Sequence, residues 1–346
     1  MQDKIYNVAV IGTAAMGRRH CQAVIENPRA NLYAVCDLIP ENLKLACGLP
    51  GAKVEVTTDD YKTLVADPKV DVAIVVVPDQ VHREITNAFL RAGKDVLCEK
   101  PMALTLEECE DMMRTEKETG RKLMIGQVCR CTPGFIKAKQ LVDEGAIGDL
   151  YYVESEYAHS YTIHRGAFDW RVTPERNGFI GGGCHAVDLL RWIAGDPTEV
   201  SAYSNHKCLT DWPADDCTIG IYKFPNGVIG KVFASIGCCR PYTTRTVLYG
   251  TKGTIICGGY LKELTLYRGK GEKIDGKLDF TFPITIPVEV KGHNVGLEIK
   301  QFLDSLATGK PLPVSSVDGA STVAVCDATI ESAHSGKPVV IRYPEI

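Results

Sequence analysis

Short apolar runs alternate with segments of helical period over roughly the first third of the chain. Asn7 to Ile11, Leu32 to Cys36, Val72 to Val77, Asp95 to Cys98 and Leu123 to Gln127 read as buried strands. Between them Gly17 to Glu26, Pro40 to Cys47, Asp59 to Ala66 and Val81 to Ala92 read as helices. A further helix opens with Thr105 and Glu108, the spacing of a capping box, and ends near Gly120. Strand and helix alternating in this way is the pattern of a parallel sheet covered by helices.

From Thr132 the pattern changes. One helix, Phe135 to Glu144, leads into longer strands that alternate or pair: Tyr151 to Tyr157, Thr218 to Phe224, Val228 to Ser235, Thr246 to Tyr249, Gly253 to Ile256 and Leu264 to Tyr267. Asn226-Gly227 is a strong hairpin turn. Helices are expected after Gly181-Gly182-Gly183 as far as Ala194, over Leu297 to Ala307, and over Gly319 to His334. The reading is α/β, with one domain over residues 1–125 and an α+β domain over 126–346 built on a large, mostly antiparallel open sheet.

Composition narrows the functions. A chain of 346 residues with 45% hydrophobic and 24% charged residues has the balance of a folded globular protein, long enough for two cores. A net charge of -4 offers no basic footprint for nucleic acid or an anionic membrane. The apolar run Val72 to Val77 is far below a membrane span, and Val8 to Ile11 is too short for a signal sequence, so the expected location is the cytoplasm. Fourteen scattered cysteines without paired C-x-x-C knuckles read as reduced, mostly buried thiols, and no metal site is expected.

Gly12-Thr13-Ala14-Ala15-Met16-Gly17 follows the first strand and opens the first helix. Gly12 suits the tight turn, Gly17 suits close helix packing, and the helix start offers backbone N–H groups to a pyrophosphate. Ala14 replaces the middle glycine of the usual fingerprint. By itself this is either a dinucleotide turn or a structural one. Asp37, twenty residues after Gly17 at the end of the second strand, favours the former. Its carboxylate can bind both adenosine ribose hydroxyls and repel a 2'-phosphate, which points to NAD rather than NADP.

With Val77-Pro78-Asp79-Gln80-Val81-His82, Glu99-Lys100-Pro101 and His185-Ala186-Val187-Asp188-Leu189-Leu190-Arg191-Trp192, the whole chain resembles the Gfo/Idh/MocA oxidoreductases. That resemblance implies a Rossmann domain, a second domain whose open sheet makes oligomer contacts, and NAD chemistry on sugars or cyclitols. Lys100 and His185 match the family's catalytic lysine and histidine. Pro78, His82, Glu99 and Arg130 match positions near the cofactor. The family's aspartate, four residues before the histidine, is here Gly181. The triple glycine either makes room for a bulky glycoside or leaves another group to replace that carboxylate. Asp188 either orients His185 or caps a neighbour.

Tyr157, His159, Tyr161 and His164 cluster within eight residues after a strand, and alternation puts 157, 159 and 161 on one side, as a sugar site or as an ordinary sheet face. Arg171 is a candidate for substrate or for an ion pair, and His293 for substrate or a helix cap. The reaction implied is hydride transfer between a secondary hydroxyl and NAD, with His185 as base and Lys100 stabilising the oxygen. Two alternatives stand beside it: NAD-assisted glycoside cleavage or epimerisation, and a non-enzymatic NAD-binding sensor or repressor. A homo-oligomer, whether dimer, tetramer or hexamer, is expected.

Overall fold

The computed structural model describes residues 4–162, 170–269, 273–274, 277–278 and 283–345. They form two compact units. The first comprises the described residues within 4–128, 294–323 and 344–345, and the second those within 129–293 and 324–343. The boundary expected near residue 126 falls three residues from the chain's first crossing, but the chain also returns to the first unit after residue 293.

In the first unit the order is β1 (Tyr6–Ile11), α1 (Ala15–Ile25), β2 (Ala30–Cys36), α2 (Pro40–Cys47), β3 (Val56–Thr58), α3 (Tyr61–Ala66), β4 (Val72–Val75), α4 (His82–Arg91), β5 (Asp95–Glu99), α5 (Leu106–Thr119) and β6 (Leu123–Gly126). The six strands pair in the order β3-β2-β1-β4-β5-β6, and every pairing is parallel. Their central residues, Val8 to Val10 and Val72 to Val75, are almost fully buried, as a sheet covered on both faces requires. Strand order reverses between β1 and β4, which opens the carboxyl ends of those strands to a ligand. The capping box forms: Thr105 Oγ1 accepts from Glu108 N at 3.2 Å, and Glu108 Oε2 accepts from Leu104 N at 3.2 Å.

The second unit contains α6 (Pro133–Asp143), β7 (Leu150–Ala158), α7 (Cys184–Ala194), β8 (Glu199–Asn205), β9 (Cys217–Lys223), β10 (Ile229–Ser235), β11 (Thr243–Gly250), β12 (Gly253–Gly258), β13 (Glu263–Arg268), the two-residue strands β14 (Lys273–Ile274) and β15 (Lys277–Leu278), and β16 (Ile284–Pro287). Helix α8 (Val295–Thr308) then packs beside α1 in the first unit. The long α9 (Ser316–Ser335) precedes a last short strand, β17 (Val339–Val340). Nine strands make one sheet in the order β16-β13-β12-β11-β7-β10-β9-β8-β17. Within it β7 and β10 are parallel and the other pairs antiparallel.

The Asn226-Gly227 turn sets the β9-β10 register at Lys223 opposite Ile229, with Gly227 at φ 82°. Strands β3, β8, β14, β15, β16 and β17 are absent from the sequence reading. Glu199–Asn205 mixes polar and small residues, and its strand form is imposed by pairing with β9.

Candidate active site

The turn from β1 into α1 is shaped by two glycines. Gly12 has φ 88°, and a Cβ there would stand 2.3 Å from the Val76 carbonyl oxygen. A Cβ on Gly17 would lie 1.9 Å from the Gly12 carbonyl oxygen. Neither position admits another residue, so the chain passes close under a helix start that carries no side-chain cap. Ala14 and Ala15 are exposed there and Met16 half-buried, leaving the first N–H groups of α1 open to an anion.

Asp37 lies against the same turn. Its Oδ2 accepts from Thr13 N at 2.7 Å and Thr13 Oγ1 at 3.1 Å, and its Oδ1 accepts from Ile39 N at 2.9 Å. Asn42 Nδ2 donates at 3.2 Å to both oxygens. The Thr13 hydroxyl and the Asn42 amide are the movable donors, so a ribose diol can replace them while the two backbone N–H groups keep the carboxylate aimed. The cradle and the carboxylate together fit the diphosphate and adenosine ribose of NAD.

Pro78 is half-buried on the following loop, and His82 is completely buried at the start of α4. His82 Nδ1 lies 2.9 Å from the Pro101 carbonyl oxygen and Nε2 3.0 Å from that of Val77. Carbonyl oxygens only accept, so both ring nitrogens carry hydrogen and the ring is a cation. Burial opposes that charge, but the contacts with Cys98, Asp79 and Pro101 outweigh it and raise the ring to about 10. His82 therefore ties the Val77 loop to the Lys100-Pro101 segment rather than presenting a free nitrogen to a cofactor.

Glu99 and Lys100 end β5. Glu99 is buried; its Oε1 pairs with His20 Nε2 at 2.9 Å, and its Oε2 accepts from the Lys100 backbone N at 3.1 Å. Burial disfavours its charge, but the His20 ring more than compensates and holds the carboxyl below the usual range. Glu298 of α8, 1% exposed, has neither oxygen hydrogen-bonded. Burial first, and then the charge of Glu99, push its carboxyl well above the ordinary range. Ligand-type atoms of His20, Glu99 and Glu298 lie within 4.8 Å of one another. The carboxyls thus divide into one charged and one neutral, with Lys100 half-buried beside the charged one. His20 and Glu298 were not singled out in the sequence; their signal was a titratable residue on the buried face of an amphipathic helix.

In the second unit His185 sits in the first turn of α7, after a π-type turn over Phe179–Gly183, and is 2% exposed. Its Nδ1 lies 3.6 Å from Cys129 Sγ. Tyr157 stacks on it at 5.9 Å between ring centroids, and His293 meets it edge-on at 5.6 Å. Tyr157 Oη bonds His159 Nδ1 at 3.1 Å and Tyr161 Oη at 3.0 Å. Tyr242, which the sequence did not single out, bonds His293 Nε2 at 3.1 Å and meets the rings of Tyr157 and His159. The structure thus brings together Tyr157, His159, Tyr161, His185 and His293. Burial, and then Tyr161 and Tyr242, push the Tyr157 hydroxyl well above its ordinary range, so it remains a donor. His164 lies outside the described residues.

Arg130 and Asp188 bind each other. Arg130 Nε donates to Oδ2 at 2.8 Å and Nη2 to Oδ1 at 2.7 Å, and both side chains are buried. Asp188 is thereby turned to the guanidinium, and Arg130 is held in the second unit rather than offered to a cofactor. Arg171 lies 4.3 Å over the Trp170 ring, and Arg176 lies 4.7 Å from the same ring. The glycines do not leave space for a substrate. A Cβ at Gly181 would stand 2.4 Å from Arg176 Cζ, and one at Gly182 would stand 2.3 Å from the Tyr157 ring. The Arg176 guanidinium occupies the space that a side chain at position 181 would take.

The buried Glu298 carboxyl predicts a pH effect on stability. In the folded chain it stays protonated, whereas unfolded it ionises above about 4.3, so it progressively destabilises the fold as pH rises from there toward its raised value. Urea unfolding of Glu298→Gln should show higher stability than the parent at pH 8 and little difference at pH 4. Identical pH slopes in the two proteins would contradict the assignment.

Comparison with known proteins identifies the family. Residues 6–127 match the oxidoreductase family with an NAD-binding Rossmann fold, and residues 135–256 match the GFO/IDH/MocA C-terminal domain. Inositol 2-dehydrogenase 1 of Saccharopolyspora erythraea is 27% identical, over 98% of this chain and 97% of that protein. The scyllo-inositol 2-dehydrogenase (NAD(+)) of Bacillus subtilis is 26% identical, over 96% of this chain and 95% of its own. A levoglucosan dehydrogenase in complex with NADH and levoglucosan superposes with a TM-score of 0.86 at 25% identity, covering 98% of this chain and all of that one. With both of its domains matched, the chain belongs to the Gfo/Idh/MocA family of NAD-binding oxidoreductases.

Proposed function

We propose that the protein oxidises a secondary hydroxyl of a sugar, glycoside or cyclitol with NAD, using Lys100 and His185. The observation that carries the reading is the group of rings around His185. Tyr157, His159, Tyr161, Tyr242 and His293 present flat apolar faces together with hydroxyls and ring nitrogens, which is what a polyhydroxylated ring needs for stacking and hydrogen bonding. The relatives named for inositol and levoglucosan support the same substrate class.

NAD, held by the Gly12 to Gly17 turn and Asp37, would supply the hydride acceptor for the carbinol carbon. His185, in the first turn of α7, takes the hydroxyl proton. Lys100 steadies the charge that develops on the oxygen. Asp37 holds the ribose and disfavours a 2'-phosphate. Arg171 stays a candidate for the substrate's outer hydroxyls.

The outer face of the nine-stranded sheet leaves Tyr203, Ile221, Ile229, Tyr249 and Tyr267 exposed. The strand registers place them on one side of the sheet. A second copy of the chain covers this face in the assembly proposed here.

Three measurements test these statements. A fluorescence screen of free sugars, glycosides, inositols and sugar acids with NAD should find NADH formation. Lys100→Met and His185→Ala should each lower turnover by about 10² to 10⁴ while still binding NADH. Near-normal turnover in both variants would remove the assignment, and oxidation without NADH build-up would point to transient redox chemistry instead. Calorimetry should find NAD bound more tightly than NADP, with the gap narrowed in Asp37→Ala; equal affinities in the parent would contradict the role of Asp37. Light scattering at micromolar concentration should find an oligomer that Ile229→Lys weakens, and a monomeric parent would refute the covered sheet.

A further inference from the structure

Buried polar atoms in a folded chain are nearly always hydrogen-bonded, so an orphaned one calls for a physical reason. Three such atoms belong to one cluster in the first unit. Glu298 is 1% exposed, and neither of its oxygens has a hydrogen-bond partner; His20 is fully buried, and its Nδ1 has none either. The two residues lie on the buried faces of α8 and α1, helices that pack together. Glu99, at the end of β5, is the third member. Ligand-type atoms of the three lie within 4.8 Å of one another.

We propose that His20, Glu99 and Glu298 form a site for one divalent transition-metal ion, with zinc the ion that suits their chemistry best. One imidazole nitrogen and two carboxylate oxygens make a donor set that zinc accepts with a water as fourth ligand. Magnesium and calcium take six or more oxygens and are poorly served by three donors of which one is nitrogen. The spacing fits as well. His20 Nε2 and Glu99 Oε1 stand 2.9 Å apart, near the roughly 3 to 3.5 Å that separates two ligands of a shared ion. Glu298 brings the third donor from α8, and its oxygens have no hydrogen bond to give up.

Charge separates an ion from a water as the occupant. Two ionised carboxylates in this volume repel each other and burial opposes both, so without a cation Glu298 keeps its proton. A dication balances both carboxylates and satisfies the orphaned oxygens, and its binding displaces the Glu298 proton to solvent. The ion lies behind the strand that carries Lys100: Glu99 Oε2 accepts from the Lys100 backbone N at 3.1 Å, so a metal on Glu99 stiffens that segment. No step of hydride transfer passes through it. Cysteine spacing holds no trace of such a site, because its donors are an imidazole and two carboxyls far apart in the chain.

The experiment uses the full chain, stripped with EDTA and desalted, with zinc chloride as the probe. Other histidines and cysteines also take up zinc, so the site is read as the difference between the parent and Glu298→Gln, which keeps the shape and removes the charged ligand. In calorimetry at neutral pH, the tightest zinc bound by the parent should weaken about a hundredfold in the variant. Cobalt(II) in place of zinc should give the visible bands of nitrogen and oxygen ligation without the intense near-ultraviolet bands of thiolate, and Glu298→Gln should lose them. In EDTA the variant is the more stable protein at pH 8, and saturating zinc should reverse that order. A thermal melt establishes folding, and His20→Gln is measured in the same way if the first variant is disturbed. Equal zinc affinity and identical cobalt spectra in the parent and a folded variant would overturn the site and leave a protonated Glu298 with at most a water beside it. None of these readouts depends on NADH formation, so a failure here is distinct from a failure of the dehydrogenase reading.

Discussion

The buried ion pair of Arg130 with Asp188 is the interaction on which the second unit's site depends. Neither side chain has appreciable access to water, and the two parallel hydrogen bonds between guanidinium and carboxylate satisfy groups that would otherwise be expensive to bury. Removing one partner would leave an uncompensated charge and cost about 3–5 kcal/mol. The pair also fixes direction. It holds one face of α7 against the turn after β6, and His185 and Cys129 come together as a result.

In the first unit the corresponding constraint is electrostatic. Three carboxyls serve three purposes because their surroundings differ. Asp37 is half-exposed, with its carboxylate held by the backbone N–H groups of Thr13 and Ile39. Glu99 is buried but charged against His20, and its second oxygen holds the backbone of Lys100. Glu298, buried without such a partner, remains neutral. Two charged carboxylates in that small volume would repel each other, and the neutral one relieves the repulsion while filling the same space. His82 adds a buried cation whose two N–H groups join the loop after β4 to the segment after β5.

Glycine acts in two distinct ways around these groups. At Gly12 the backbone conformation itself demands it, and at Gly17 the close approach of a carbonyl does. At Gly181 and Gly182 the backbone is ordinary helix-like chain, and the absent side chains make room for Arg176 and Tyr157 of the same unit. The triple glycine is therefore a packing device around His185, with the Arg176 guanidinium lying against position 181.

The fold and half of the site were legible in the chain because they rest on local rules. Alternating apolar runs and helices dictate a parallel sheet, Gly12 and Gly17 with Asp37 dictate a dinucleotide turn, and Asn226-Gly227 dictates a hairpin. Such features involve neighbours in sequence, or residues one strand and one helix apart. The return of α8 to the first unit, the neutral Glu298 beside Glu99, the Arg130 bond to Asp188, and the sulfur of Cys129 at His185 were decided only by tertiary structure. These contacts join residues 56 to nearly 280 positions apart, whose side chains carry no periodic signal of their partners. Which buried polar group meets which is set by the packing that removes both from water, and that is a property of the folded chain.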